Sequence, residues 1–271
     1  MIELSVGLPV FKSSAIVWLA MESLCNQVNI NFKWELIICE ELCPDSEDGY
    51  CGNQFFDSYR DRLYKAGCRE IKFIDLEDYV TLESKWKFIV QSADKKSEML
   101  LLQASDNYSQ NDRISTAYNH IKGGYDWIHY ENIYFYNCKT GQIILRSHIP
   151  SKKSKSFSSK GVNISIRMEL IKNLPFRDKG FTIDGWLYRN ARSVKYDIFR
   201  SDMNTIWNGG NWETGINTDG FNKISLKRVR HYQNPQPPFY KTDKVIGDIV
   251  PEYIADRLLG LSKDVFDKKI I

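Results

Sequence analysis

The chain has no GxxxxGK[ST], GxGxxG or GxSxG segment, which argues against a P-loop nucleotide hydrolase, a Rossmann dehydrogenase and an α/β-hydrolase. It has no apolar run near the ~20 residues that a membrane-spanning helix needs. MIELSVGLPV leads straight into a strand, without the charged and apolar regions of a secretory leader. Charge of one sign is scarce: 37 Lys+Arg against 34 Asp+Glu give +3, too little to demonstrate a nucleic-acid partner. The six cysteines (Cys25, Cys39, Cys43, Cys51, Cys68, Cys138) lack the spacing of a disulfide framework. Cys39, Cys43 and Cys51 also lack paired CxxC knuckles and a nearby histidine, which argues against zinc. No internal repeat is evident. The expectation is a cytoplasmic protein, of a producing or host cell, with no transmembrane segment.

What is abundant is aromatic: 7 Trp, 15 Tyr and 14 Phe among 271 residues. Such side chains fill cores, and they also stack on sugars and bases. The length suits one large domain or one domain with an appendage. Over the first ~120 residues, apolar runs alternate with helical stripes, the pattern of a mostly parallel sheet covered by helices. Strands are expected at Ile2 to Val10 (ended by Pro9), Phe32 to Cys39, Ile71 to Ile74 and Met99 to Leu102. Between them, Ser13 or Ser14 caps a helix marked by Ile16, Leu19 and Leu24. Phe56, Tyr59 and Leu63 mark a helix that Gly67 ends, and Trp86, Ile89, Val90 and Ala93 mark another. Ile114, Ala117, Tyr118 and Ile121 follow, closed by Gly123-Gly124.

Beyond residue 123 the pattern loosens. Asp126 to Tyr136 and Gln142 to Leu145 predict a hairpin, residues 163–173 and 184–192 predict helices, and Pro251 opens a C-terminal helix. PSKKSKSFSSK at 150–160 predicts a mobile basic loop, and Trp207-Asn208-Gly209-Gly210-Asn211-Trp212 a glycine-rich aromatic one.

Residues 98–113, EMLLLQASDNYSQNDR, carry the strongest functional signal. An apolar strand delivers Asp106 to its carboxyl end, where open α/β sheets present ligand-binding groups. A carboxylate there can hold a divalent cation beneath a diphosphate, or simply cap the turn that follows. Together with IELSVGLPVF and KWELIICEE, this SDN segment resembles the nucleotide-sugar half of a family-2 glycosyltransferase with the GT-A fold, in a divergent form for which a viral type is one option.

That resemblance covers roughly residues 2–192 and reaches His231 faintly. It implies an α/β fold with a mostly parallel sheet flanked by helices and an irregular C-terminal third. It also implies a core at 1–192 (1–122 the nucleotide-sugar half, 123–192 the acceptor half) and an extension at 193–271 that completes the site. Pro9, Val10 and Phe11 would face the nucleotide. Glu40-Glu41 stand where relatives carry two aspartates, one on the base; the alternative is an acidic loop at a strand end. Lys85 or Lys87 would neutralise a phosphate, unless both are solvent-exposed. Ser105 would line the site, and Asp106 would bind Mn²⁺ or Mg²⁺.

Downstream, FTIDGWLYRNA resembles the acceptor block, with Ile183-Asp184 where relatives have Glu-Asp. The resemblance makes Asp184 the base that takes the acceptor's proton in an inverting transfer, a role compatible with capping the helix after it. His231 in KRVRHY would be a further metal ligand or a surface histidine. Trp186, Trp207 and Trp212 would contact the acceptor or form a lid. The activity implied is a hexosyl- or pentosyltransferase using a nucleotide-diphosphate sugar and a glycan acceptor. Alternatives are a DNA glycosyltransferase acting on hydroxymethylated bases, a nucleotidyltransferase, and a non-catalytic nucleotide- or glycan-binding domain.

Overall fold

The computed structural model describes residues 2–11, 13–14, 16–41, 50–78, 80–130, 132–137, 143–147, 164–174, 196–199, 202–206 and 239–267. Its centre is strand β1 (Leu4–Val10), all seven residues of which are buried. β2 (Trp34–Glu41) and β4 (Met99–Leu102) flank β1 in parallel, and β3 (Cys68–Leu76) extends the sheet beyond β2. Strands buried on both faces need near-continuous apolar sequence, and LSVGLPV, WELIICEE and MLLL largely supply it. Pro9 lies within β1, paired with Cys39, instead of ending it. It is tolerated because β4 accompanies β1 only as far as Gly7, so no second ladder needs the missing N–H.

Side-chain alternation divides the core into two layers. Leu4, Val6, Leu8 and Val10 of β1, with Leu36, Ile38 and Leu101, face α1 (Trp18–Cys25), α3 (Arg60–Lys65) and α5 (Arg113–Lys122). Ile37, Cys39, Leu100 and Leu102 face α4 (Leu82–Ser92) on the other side. The small residues of β1 on that side let α4 come close: a Cβ on Gly7 would stand 2.6 Å from Ile89 Cγ2. The expected helix at 56–63 is two, α2 (Gly52–Asp57) and α3, separated at Ser58-Tyr59. Gly67 ends α3 at φ +92°, a conformation open to glycine at no steric cost.

Two expectations need correction. The 126–136 run is not one strand: β6 (Trp127–Tyr130) joins the first sheet and β7 (Asn132–Asn137) begins a second. Residues 163–173 begin as β9 (Ser165–Arg167), antiparallel to both β4 and β6, before the short α6 (Met168–Lys172). Pairing on both edges outweighed local helical spacing there. The first sheet has the order β10-β6-β9-β4-β1-β2-β3, with β10 (Tyr196–Phe199) parallel to β6. The second has the order β12-β8-β7-β11-β5, comprising β5 (Asn107–Tyr108), β7, β8 (Ile143–Ser147), β11 (Asp202–Ile206) and β12 (Phe239–Lys241). β7 and β8 are antiparallel, so the expected hairpin pairing is present between residues 132 and 147.

The C-terminal helix α7 (Glu252–Asp267) packs Ile254, Ala255 and Leu258 into the α1 layer. Arg257 lies 3.9 Å from the centre of the Trp18 ring, and Tyr253 donates to Glu22 at 2.9 Å. Burial alone would raise the Glu22 carboxyl, but hydrogen bonds from Arg62 and Tyr253 outweigh it and hold the group below the ordinary carboxylate range. Among the described residues no helix is long and apolar enough to cross a membrane.

Gly7→Ala should lower stability by about 1–3 kcal/mol, the usual cost of overpacking. Urea unfolding should show a lower midpoint at unchanged slope; a midpoint within error of the parent would mean that α4 is free to retreat.

Candidate functional site

Because β1, β2 and β4 are parallel, their carboxyl ends open onto one edge of the sheet. The segments following those ends carry most of the candidate residues of the nucleotide half. At the end of β1, Lys85 reaches across from the first turn of α4 and donates to the Val10 carbonyl at 3.0 Å. The same ammonium lies 2.8 Å from Glu41 Oε2 and 4.7 Å from the centre of the Phe11 ring. The Lys85 and Glu41 side chains are 4% and 1% exposed, so this ion pair is screened very little. Val80 N also donates to Glu41 Oε2 at 3.3 Å. Glu41 Oε1 is buried and receives no hydrogen bond.

Glu40 is engaged differently. Its carboxylate accepts from Cys51 N at 2.8 Å and Gly52 N at 3.0 Å, holding the start of α2. Burial raises its pKa, and the two backbone donors only partly offset that. Cys39, one residue earlier, is fully buried, and burial pushes its thiol up to about 12. Cys25, Cys39, Cys51 and Cys68 are all free thiols.

At the end of β4 the chain turns through Ser105-Asp106, with Asn107 N donating to Ala104 O at 3.3 Å. The Ser105 hydroxyl meets the Ser13 hydroxyl at 2.8 Å, and Ser13 in turn donates to Phe11 O at 2.8 Å. Ser13 thus serves a turn ahead of α1, with its carbonyl accepting from Ile16 N and Val17 N, and ties the β1 exit to the Asp106 turn. Asp106 itself is half-buried. Asn107 and Tyr108 then pair with Asn204 and Met203 of β11, anchoring the far side of the turn in the second sheet.

The structure therefore gathers Pro9, Val10, Phe11, Glu41, Lys85, Ser105 and Asp106 at one sheet edge, with Glu40 turned toward α2. Lys87 is exposed on the outer flank of α4, beside a cleft of about 560 Å³ lined also by Val90, Lys95 and Lys172. That cleft shares no residue with the grouping at the sheet edge. Asp184, Trp186, Trp207, Trp212, His231 and the 150–161 segment lie outside the described residues.

Two features were not anticipated from sequence. One is the Ser13–Ser105 link, which joins residues 92 apart and leaves no local signal. The other is a network beneath the Asp106 turn built on Gln103, Ser109 and Arg113. Arg113 did have a signal, because it stands four and eight residues before Ala117 and Ile121 on the buried face of α5.

Among the described residues no group of three or more His, Cys, Asp or Glu is arranged to hold a metal ion. A single half-exposed carboxylate beside a strand end suits a cation that arrives with phosphate oxygens and keeps much of its own water.

No protein-family model matches the chain, and neither does any curated protein sequence. Solved structures do share its fold. The S. aureus TarS 1–349 fragment superposes with a TM-score of 0.54 at 14% identity, over 98% of this chain and 72% of the fragment. The same fragment in complex with UDP-GlcNAc gives 0.55 at 14% identity, over 98% and 73%. The mannosyltransferase PcManGT from Pyrobaculum calidifontis, in complex with GDP-Man and Mn²⁺, gives 0.51 at 8% identity, over 99% and 75%. The fold is therefore the GT-A-like α/β architecture expected from the sequence.

Lys85→Met should cost about 3–5 kcal/mol by leaving Glu41 buried and unpaired. The double substitution Glu41→Gln with Lys85→Met should recover much of that loss. A cycle in which the two changes simply add would show that the pair is not coupled.

Proposed function

We propose that this chain is a glycosyltransferase that moves a sugar from a nucleotide-diphosphate donor to an acceptor hydroxyl, with Mn²⁺ or Mg²⁺ and inversion at the sugar carbon. One observation carries the reading: the Asp106 turn, the β1 exit and the buried Lys85–Glu41 pair meet at the carboxyl edge of the parallel sheet. The fold shared with structures captured with UDP-GlcNAc and with GDP-Man and Mn²⁺ supports it. So does the motif order that resembles family-2 enzymes.

In this reading the Val10–Phe11 backbone, fixed by Lys85, forms the shelf for the nucleoside. Glu41 Oε1, buried without a hydrogen bond, is the acceptor that a base N–H would satisfy. Glu40 shapes the same wall by holding α2. Asp106 would hold the cation that accompanies the diphosphate, with His231 as a second candidate ligand, whereas the exposed Lys87 lies away from this edge. When bound, the metal stabilises charge on the departing diphosphate. Asp184 takes the acceptor's proton, while Trp186, Trp207 and Trp212 cover the acceptor and exclude water. The acceptor in this reading is a glycan and the setting is the cytoplasm. The extension from residue 193 completes a site whose core is 1–192.

A panel of nucleoside diphosphates tests the reading by thermal shift, since a ligand stabilises the state it binds. At least one should raise the melting temperature, and more so with Mn²⁺. Asp106→Asn should abolish the metal-dependent part of the shift and most metal-dependent turnover at unchanged fold. No shift with any nucleotide would point to a binding domain of another kind, and salt-sensitive affinity for duplex DNA would redirect the acceptor to a modified base.

Asp184→Asn should lower kcat on the order of 10²–10⁴-fold with little change in nucleotide affinity. Loss of nucleotide binding at an unchanged saturated rate would reverse the roles given to the two aspartates.

A further inference from the structure

Arg113 is the first residue of α5 and is only 1% exposed. Burying a guanidinium costs several kcal/mol unless its hydrogen bonds are well made, so its position calls for a reason. Three of its bonds converge on one place. Nη1 donates to Gln103 Oε1 at 2.6 Å and to Ser109 Oγ at 3.1 Å, and Nη2 donates to the Leu102 carbonyl at 2.9 Å. Ser109 Oγ donates to the same Gln103 Oε1 at 2.6 Å. With its oxygen held from two sides, the Gln103 amide can point only its Nε2 at the turn. It donates there to Ala104 O at 3.1 Å and Asn107 O at 3.0 Å.

Those two carbonyls bracket Ser105-Asp106. The turn is thus clamped from beneath by Arg113 through Gln103, and from the side by Ser13 through the Ser105 hydroxyl. Gln103, Asn107 and Ser109 are fully buried, whereas Asp106 is half-buried, so the network fixes the backbone on either side of Asp106.

We infer that Arg113 is a positioning residue for the cation site: it sets the Asp106 turn through Gln103 and so determines how tightly a divalent ion is held. The inference rests on the reading of Asp106 as metal ligand. In this inference Arg113 acts through Gln103 and not on the ion or the nucleotide directly. Its fork geometry, more than its charge, does the work, because two nitrogens must serve the Leu102 carbonyl and the Gln103 amide at once. Lysine keeps the charge and offers one nitrogen.

The test uses the full chain and the metal itself. Mn²⁺ is titrated into parent, Arg113→Lys and Ser109→Ala proteins in the presence of UDP and, separately, GDP, with the free aquo ion followed by electron paramagnetic resonance. UDP and GDP binding without metal is measured in EDTA. Arg113→Lys should weaken Mn²⁺ binding about tenfold, the lower end for losing an outer-shell partner of a metal ligand. Ser109→Ala, which removes one strut and spares the buried charge, should weaken it by a smaller factor. Neither variant should change metal-free nucleotide binding. Should Arg113→Lys fail to fold, Ser109→Ala decides alone.

Folded variants that bind Mn²⁺ as the parent does overturn the inference and leave the reading of the site intact. Variants whose metal-free nucleotide affinity falls in step with their Mn²⁺ affinity also overturn it, since the effect would then be on the whole pocket. A parent that takes up no Mn²⁺ with either nucleotide overturns the reading of the site and this inference with it.

Discussion

Every residue of strand β1 is buried, and this constraint organises the rest of the molecule. A strand buried on both faces has its main-chain polar groups met chiefly by its neighbours, so β2 and β4 must flank it. Both do so in parallel, which obliges the chain to cross back over the sheet between strands and places the segments after β1, β2 and β4 at one edge. The close approach of α4 at Gly7 then brings Lys85 over the β1 exit. The candidate site follows from the way one central strand is covered.

The polar groups buried near this edge are more informative than its apolar ones. A buried ion pair such as Lys85–Glu41 is weak evidence for stability, because apolar residues of similar volume commonly do as well. Its use here is geometric: one ammonium fixes a carbonyl, a carboxylate and an aromatic ring at the same point. Arg113 does the same for the β4 exit. By contrast, Glu35 binds Ser5 Oγ, Asp94 N and Lys72 within 2.6–2.7 Å and shares no partner with the candidate residues, so it reads as internal scaffolding.

Much of the first half was legible because its signals are local. Apolar runs marked β1, β2 and β4, helical spacing marked α4 and α5, and Gly67 and Gly124 stand at positive φ where a chain stop was expected. What escaped depends on partners distant in sequence. β9 occupies a stretch with helical spacing and becomes a strand only because β4 and β6 need an antiparallel insert. The break between β6 and β7 divides one β-rich run between two sheets, which no local pattern records. In the site, the acidic pair at 40–41 was visible, but its separation into a helix-holding Glu40 and an ion-paired Glu41 requires knowing where Cys51 and Lys85 lie.

The carboxyl edge of β1, β2 and β4 is the proposed place where a nucleoside diphosphate and its cation bind. The most direct measurement is the anomalous scattering of Mn²⁺ in crystals grown with the nucleoside diphosphate that stabilises the protein most. A manganese peak is expected at direct coordination distance, roughly 2.0–2.3 Å, from an Asp106 carboxylate oxygen, with the diphosphate completing its shell and the base beside Glu41. Manganese and nucleotide bound together elsewhere, with Asp106 touching neither, would contradict it.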